Sequence, residues 1–374
     1  MVKEIKTIGI IGFNVMGAAI GLNAASSGFR VIYKELNDTL VQAMYDRWVR
    51  DALGKRVAKG KMTQDEMDLV AGRISGTSHY SDLAPCDLVI EAAVEKMDLK
   101  IQIFKDLDLS CRPDTILVSN TSTFLIEKLM GSVSNPERTA GLHYFFPANI
   151  NRLVEVIRQK KTSDETFEAL MTFADKNGKV AISVNDFPGF AINPVFISSY
   201  MVLNSMYSDT CNAATLDYAS KQALGVRYGI MWVMNGSGLG TSYHAAESMH
   251  DYLAHTDVGF PPVPVQLKTQ FESGKPWDID AEVSNDEALL KAAQERLLGS
   301  VFAISSHLVE KNVVSIKDLE LGITTALAWP KGPFALMNEM GMAETTRLVQ
   351  QTVNEGTFKM PKTFAAGIPS LWKI

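Results

Sequence analysis

Residues 7–35 constrain this chain more than any other stretch. Thr-Ile-Gly-Ile-Ile-Gly at 7–12 is a short apolar run that ends in glycine. A run without polar alternation reads as a strand buried on both faces, as in a parallel sheet. Phe13-Asn14-Val15-Met16-Gly17-Ala18-Ala19-Ile20-Gly21 then opens a helix of small residues, and Gly28 ends it. Phe29 to Glu35 reads as a second strand closed by an acid. Strand, glycine turn, helix, strand and acid together make the βα unit of a dinucleotide site. The turn is Gly12-x-Asn14-x-x-Gly17, with Val15 and Met16 filling the last two variable places. Gly12 allows the tight turn, and Gly17 lets helix approach strand. The usual middle glycine, which admits the pyrophosphate to the helix N-terminus, is here Asn14. Asparagine tolerates unusual backbone angles better than most residues, and its side chain needs room. Glu35 lies about twenty residues past the turn, where an acid takes the adenosine ribose hydroxyls and repels a 2′-phosphate. The cofactor expected is therefore NAD.

The rest of the first half continues the strand–helix pattern. Residues 38–72 read as helical and charged, with Lys55, Arg56, Lys59 and Lys61 clustered. The cluster is either a solvated face or an arm for a phosphorylated handle. Asp87 to Ala92 and residues 115–119 are further buried strands. Glu95 and Lys100 follow the first, and Ser119-Asn120-Thr121-Ser122-Thr123 ends the second. Hydroxyls at a strand's C-terminal end face a ligand in such sheets, or cap the next helix. Asp164 to Lys176 reads as a helix capped by Ser163 and stopped by Asn177-Gly178. Strand 179–184 follows, and Asn185-Asp186-Phe187-Pro188-Gly189 breaks the pattern.

The chemistry centres on residues 139–157. His143 ends a short strand, and Glu155 sits inside Leu153-Val154-Glu155-Val156-Ile157, a run that reads as buried. An isolated buried carboxylate is costly, so Glu155 needs a partner. His143 is the nearest candidate. A carboxylate beside an imidazole fixes its tautomer and stabilises its protonated form, as a general base needs. Pairing elsewhere is the alternative.

After residue 186 the chain reads as almost entirely helical. Met201, Met206, Met231 and Met234 suit core packing. Ala223-Leu224, Gly229, Met234-Asn235 and Gly238 recur as Ala326-Leu327, Gly332, Met337-Asn338 and Gly341, every pair 103 residues apart. A Pro-rich, charged stretch at about 255–290 separates the copies. The expected fold is an α/β Rossmann-type N-terminal domain followed by an all-α C-terminal domain made of two related helical repeats. The domains run 1–186, 187–290 and 291–374.

Composition excludes several classes. The chain has 374 residues, 46% hydrophobic and 21% charged, with a formal net charge of −6. No basic signature points to nucleic acid. Three dispersed cysteines show no metal spacing and suit a reducing compartment. The apolar core of MVKEIKTIGIIGF is short for a signal peptide, and no segment approaches a membrane span. A cytoplasmic protein without a metal is expected.

The motifs, taken in order, resemble the 3-hydroxyacyl-CoA dehydrogenases, in the form with a duplicated C-terminal domain. They are the turn at 12–17, DLVIEAAVEKMDLK at 87–100, SNTST at 119–123, GLHYFFP at 141–147, LVEVI at 153–157, PGFAIN at 188–193 and WPKGPF at 329–334. The resemblance implies NAD-dependent oxidation of (S)-3-hydroxyacyl-CoA to 3-oxoacyl-CoA, as in fatty-acid β-oxidation. It implies His143 as general base and Glu155 as its partner. Ser122 and Asn193 would address the reacting end of the substrate. Glu95 and Lys100 would lie near the nicotinamide half of the cofactor, Glu35 at the ribose, and Lys59 at the CoA moiety. Departures are Asn14, Phe146 where the family has an asparagine that contacts the cofactor, and Pro194 where arginine is usual. The first repeat also lacks the Pro-x-Gly-Pro form kept at 330–333. Two alternatives stand beside this: a binding protein on the same scaffold with little activity, and a dehydrogenase of a hydroxy acid without CoA. Monomer and homodimer are both compatible with two repeats in one chain.

Overall fold

The computed structural model describes residues 3–366, 372 and 373. Residues 1–2 of the first expected domain, and 367–371 and 374 of the last, lie outside the described residues. The chain divides into two compact units, Met1–Asp186 and Phe187–Ile374.

The first unit is an eight-stranded sheet in the order β3-β2-β1-β4-β5-β6-β7-β8. Its strands are β1 (Thr7–Ile11), β2 (Arg30–Lys34), β3 (Ile74–Thr77), β4 (Leu88–Glu91), β5 (Ile116–Ser119), β6 (Thr139–Tyr144), β7 (Leu153–Arg158) and β8 (Val180–Asn185). All neighbours are parallel except β6 and β7. The central strands β4 and β5 are buried at every residue, as their continuous apolar runs require.

Helix α1 (Val15–Ser26) packs close because of its glycines. A Cβ on Gly17 would stand 1.9 Å from the Gly12 carbonyl, and Gly12 itself has φ +83°. Residues 38–72 form α2 (Asp38–Met44), a π-helical stretch (Tyr45–Asp51), α3 (Ala52–Ala58) and α4 (Gln64–Ala71). The polar edge strand β3 carries only one buried residue, so periodicity gave no sign of it. Helices α5 (Met97–Ser110) and α6 (Ile126–Leu129) follow β4 and β5. Helix α7 (Asp164–Lys176) starts where Ser163 accepts the Thr166 N–H and stops at Asn177, before Gly178 at φ +70°. It buries Leu170 and Phe173, each worth roughly 1.5–3 kcal/mol.

The second unit contains α8 (Ile192–Met206), α9 (Ala213–Leu224), α10 (Ile230–Ser237), α11 (Leu239–Leu253), α12 (Val265–Glu272), α13 (Glu287–Glu310), α14 (Ile316–Ala326), α15 (Pro333–Met340), α16 (Met342–Asn354) and α17 (Lys362–Ala365). Helix α13 is its centre and is buried almost continuously from Leu297 to Leu308. A Cβ on Gly299 would meet Thr352 Oγ1 at 2.2 Å, so glycine there sets how closely α13 meets α16.

Asp217 and Glu320, Gly229 and Gly332, and Asn235 and Asn338, each pair 103 residues apart, make similar contacts in this unit, to partners at other spacings. Asp217 accepts the Trp232 N–H at 2.8 Å, and Glu320 accepts the Phe334 N–H at 2.7 Å. Each carboxylate sits where a Cβ on Gly229 or Gly332 would collide with it. The Asn235 amide is bonded both ways to the backbone of Trp277, at 2.9 and 2.8 Å. Asn338 does the same to Trp372, at 2.9 and 2.8 Å.

Candidate active site

The β6–β7 pairing decides the geometry. These strands are antiparallel, and His143 is registered directly opposite Glu155. Directly opposed residues project to the same face, so the two side chains meet. His143 Nδ1 lies 2.6 Å from Glu155 Oε2. Glu155 is fully buried and His143 is 3% exposed. An acceptor-only carboxylate on Nδ1 holds that proton there and leaves Nε2 with a lone pair. Such an imidazole can take a proton at Nε2 while Glu155 stabilises the cation formed. The adjacent Tyr144 does not compete, because complete burial pushes its phenol pKa up and keeps it neutral.

Asn120 ties this strand to the next one. Its Oδ1 accepts the Tyr144 N–H at 2.8 Å. The hydroxyl run after β5 does not cap a helix: α6 begins after Leu125, and the Asp186 carboxylate accepts its Ile126 and Glu127 N–H groups at 3.0 and 2.8 Å. Thr121 Oγ1 donates to Glu95, and the Ser122 N–H reaches the same oxygen at 3.2 Å. Ser122 itself is exposed at the strand's C-terminal end.

The expected cofactor turn differs from its reading in one respect. Asn14 is in extended backbone, φ −74° and ψ −166°, and not in a left-handed conformation. It is the N-cap of α1. Its Oδ1 accepts the Met16 N–H at 3.0 Å and the Gly17 N–H at 3.2 Å, while Nδ2 donates to the Ala92 carbonyl at 2.7 Å. The side chain therefore occupies helix N–H groups that a pyrophosphate would otherwise approach. Glu35 Oε1 accepts the Phe13 N–H at 2.7 Å, which leaves its second oxygen for a ribose. Gly12 remains a tight cradle, since an added Cβ would meet the Ala92 carbonyl at 3.1 Å. These residues fit a dinucleotide.

The other candidates fall as follows. Glu95 is exposed, and Lys100 is buried beside it, with Nζ 3.2 Å from Oε2. Lys59 is exposed at the C-cap of α3. Phe146 is 58% exposed beyond β6, its ring offering no amide. Asn193 lies in the first turn of α8, in the second unit, and Pro194 after it is in the first turn too, where a missing N–H costs nothing. The sequence reading missed Glu91, fully buried at the end of β4. The signal was present: a carboxylate closing Leu88-Val89-Ile90 needs a partner, by the reasoning used for Glu155.

Known proteins resemble this chain along both units. The 3-hydroxyacyl-CoA dehydrogenase NAD binding domain matches residues 7–187, and that enzyme's C-terminal domain matches residues 189–281. A probable 3-hydroxybutyryl-CoA dehydrogenase of Bacillus subtilis (strain 168) is 35% identical over 266 residues, 71% of this chain and 92% of that protein. The chain belongs to the 3-hydroxyacyl-CoA dehydrogenase family. It is an NAD-dependent oxidoreductase of that family, and its first unit carries the NAD-binding domain. The crystal structure of (S)-3-hydroxybutyryl-CoA dehydrogenase from Ralstonia eutropha shares 29% identity at a TM-score of 0.66, covering 75% of this chain and 98% of that one. The 3-hydroxybutyryl-CoA dehydrogenase of Escherichia coli K12 shares the fold along 95% of both chains, at a TM-score of 0.83 and 21% identity. Among the described residues, no helix is long and apolar enough to cross a membrane.

Proposed function

We propose that this dehydrogenase interconverts (S)-3-hydroxyacyl-CoA and 3-oxoacyl-CoA, with His143 as general base. The observation that carries the reading is the buried 2.6 Å pair of His143 Nδ1 and Glu155 Oε2. In oxidation, His143 Nε2 takes the proton of the substrate's 3-hydroxyl. The two electrons and the hydrogen on C3 leave together as hydride. The bound nicotinamide supplies the hydride acceptor. The balance is one hydroxyl substrate and NAD+ giving one ketone, NADH and the proton held on His143. Glu155 keeps the base in one tautomer and offsets the imidazolium charge. Ser122 and Asn193 serve as donors to the substrate oxygens, where developing negative charge needs them.

Glu35 takes the adenosine ribose and disfavours a 2′-phosphate, and Gly12, Asn14, Val15, Met16 and Gly17 form the pyrophosphate turn. Glu95, Lys100 and Phe146 belong to the nicotinamide end. Lys59, with Lys55, Arg56 and Lys61 around it, is the arm for the CoA phosphates. The matched carboxylate caps and Asn–Trp clamps support reading residues 187–290 and 291–374 as two related helical repeats. A 3-hydroxybutyryl thioester is the first substrate to try, given the names of the relatives. Acetoacetyl-CoA with NADH should give a fall in NADH absorbance that 3-oxobutyrate without CoA does not. No turnover of acetoacetyl-CoA or longer 3-oxoacyl-CoA thioesters would sink the proposal.

A further inference from the structure

The ends of β4 and β5 hold a buried charge cluster. Glu91 Oε1 accepts Lys100 Nζ at 2.6 Å and the Ala93 N–H at 2.7 Å, and Oε2 accepts the Ser119 hydroxyl at 2.5 Å. Lys100, 1% exposed, also faces Glu95 Oε2 at 3.2 Å and the Ala93 carbonyl at 3.4 Å. The other Glu95 oxygen binds the Thr121 hydroxyl and the Ser122 N–H. Two carboxylates thus share one ammonium, and by formal count one carboxylate charge is left over.

The strand order says what lies over it. Glu35 follows β2, the nucleotide turn follows β1, and His143 is near the end of β6. In the sheet these strands run β2-β1-β4-β5-β6. A dinucleotide that reaches from Glu35 past the turn to His143 must cross the ends of β4 and β5. The half that crosses there is the nicotinamide half, whose ring is cationic when oxidised and neutral when reduced.

We infer that Glu91 is a positioning residue that shifts this site's affinity toward the oxidised cofactor relative to the reduced one. It does so without touching the cofactor. It pins Lys100, and Lys100 pins Glu95, so the unneutralised carboxylate charge stays fixed under the nicotinamide half. The same chain of bonds holds the Ser122 backbone. The inference rests on the NAD reading above.

The test is calorimetric titration of the full-length protein with NAD+ and, separately, NADH. Wild type, Glu91→Gln and Glu95→Gln are compared, with melting temperatures alongside. Each variant removes one negative charge. Losing that charge weakens attraction for the cationic ring alone, so the NAD+-to-NADH affinity ratio should fall several-fold. A merely structural Glu91 would weaken both forms equally and leave the ratio unchanged, which overturns the inference. If Glu91→Gln does not fold, Glu95→Gln removes the charge that Glu91 is inferred to hold in place, and an unmoved ratio there overturns the inference. Wild type that binds both forms, with ratios unmoved in the variants, refutes this inference alone. Wild type that binds neither form overturns the NAD reading and this inference with it.

Discussion

Replacing Glu155 by glutamine isolates what its charge contributes. The side chain is fully buried against β6 and lies 2.6 Å from His143. Glutamine keeps the shape and offers an amide oxygen to the Nδ1 proton, but it cannot offset an imidazolium. A hydrogen bond to a charged group is worth about 1.5–3 kcal/mol, against roughly 1 for a neutral one. Exchanging the charged bond for a neutral one, a difference of about 0.5–2 kcal/mol, should slow the rate by roughly 2- to 30-fold, at about 1.4 kcal/mol per factor of ten. The loss is larger if the amide NH2 turns toward Nδ1, because Nε2 then carries the proton and has no lone pair to offer. The readout is NADH formation from 3-hydroxybutyryl-CoA at fixed pH, with NADH affinity measured by calorimetry. Affinity should stay within twofold, since Glu155 is argued to act only through His143. A rate within twofold of wild type would show that the carboxylate has no part in proton transfer. An equal fall in rate and NADH affinity would mean that the sheet edge, and not the base, was damaged.

His143→Gln should cost on the order of 10²–10⁴ in rate with NAD binding unchanged; near-normal turnover removes it from the mechanism. Glu35→Ala should narrow the preference for NADH over NADPH, read as the ratio of the two dissociation constants; an unchanged ratio means the acid serves only the Phe13 N–H. Asn14→Gly frees the Met16 and Gly17 N–H groups, so NADH should bind more tightly, by roughly two- to tenfold. The same change should lower the melting temperature slightly, because an N-cap is lost at a cost of a few tenths of a kcal/mol. Equal or weaker NADH binding would show that the amide cap and the pyrophosphate do not compete. His307, whose ring bonds the Lys359 carbonyl at 2.9 Å, has its pKa lowered from 6.5, chiefly by burial. Below 6.5 the unfolded chain therefore binds more protons than the folded one. Its contribution to stability is complete above that pH and is lost as pH falls toward the folded value. Melting temperatures from pH 8 to pH 5 should fall less steeply in His307→Asn than in wild type; parallel curves would contradict this.

Local pattern was enough for much of this protein. The apolar run at 7–12 with Gly12 and Gly17 specifies a buried strand and a close helix, because backbone sterics act over a few residues. Ser163, Asn177 and Gly178 bound α7 for the same reason. Even the need of Glu155 for a partner was legible, since a buried carboxylate cannot stand alone. Which partner it finds was decided by the antiparallel register of β6 on β7, a choice made across the sheet. Glu91, Ser119 and Lys100 are joined only because β4 and β5 are neighbours and α5 folds back over them. Asn14 makes the distinction plainest. Its residue type suggested tolerance of a left-handed turn, yet in extended backbone its amide oxygen takes the Met16 and Gly17 N–H groups of α1, and its NH2 reaches the Ala92 carbonyl that follows β4. Sequence fixes what a residue can do; only the folded surroundings determine which of those capacities is used, because the competing hydrogen-bond partners come from distant strands.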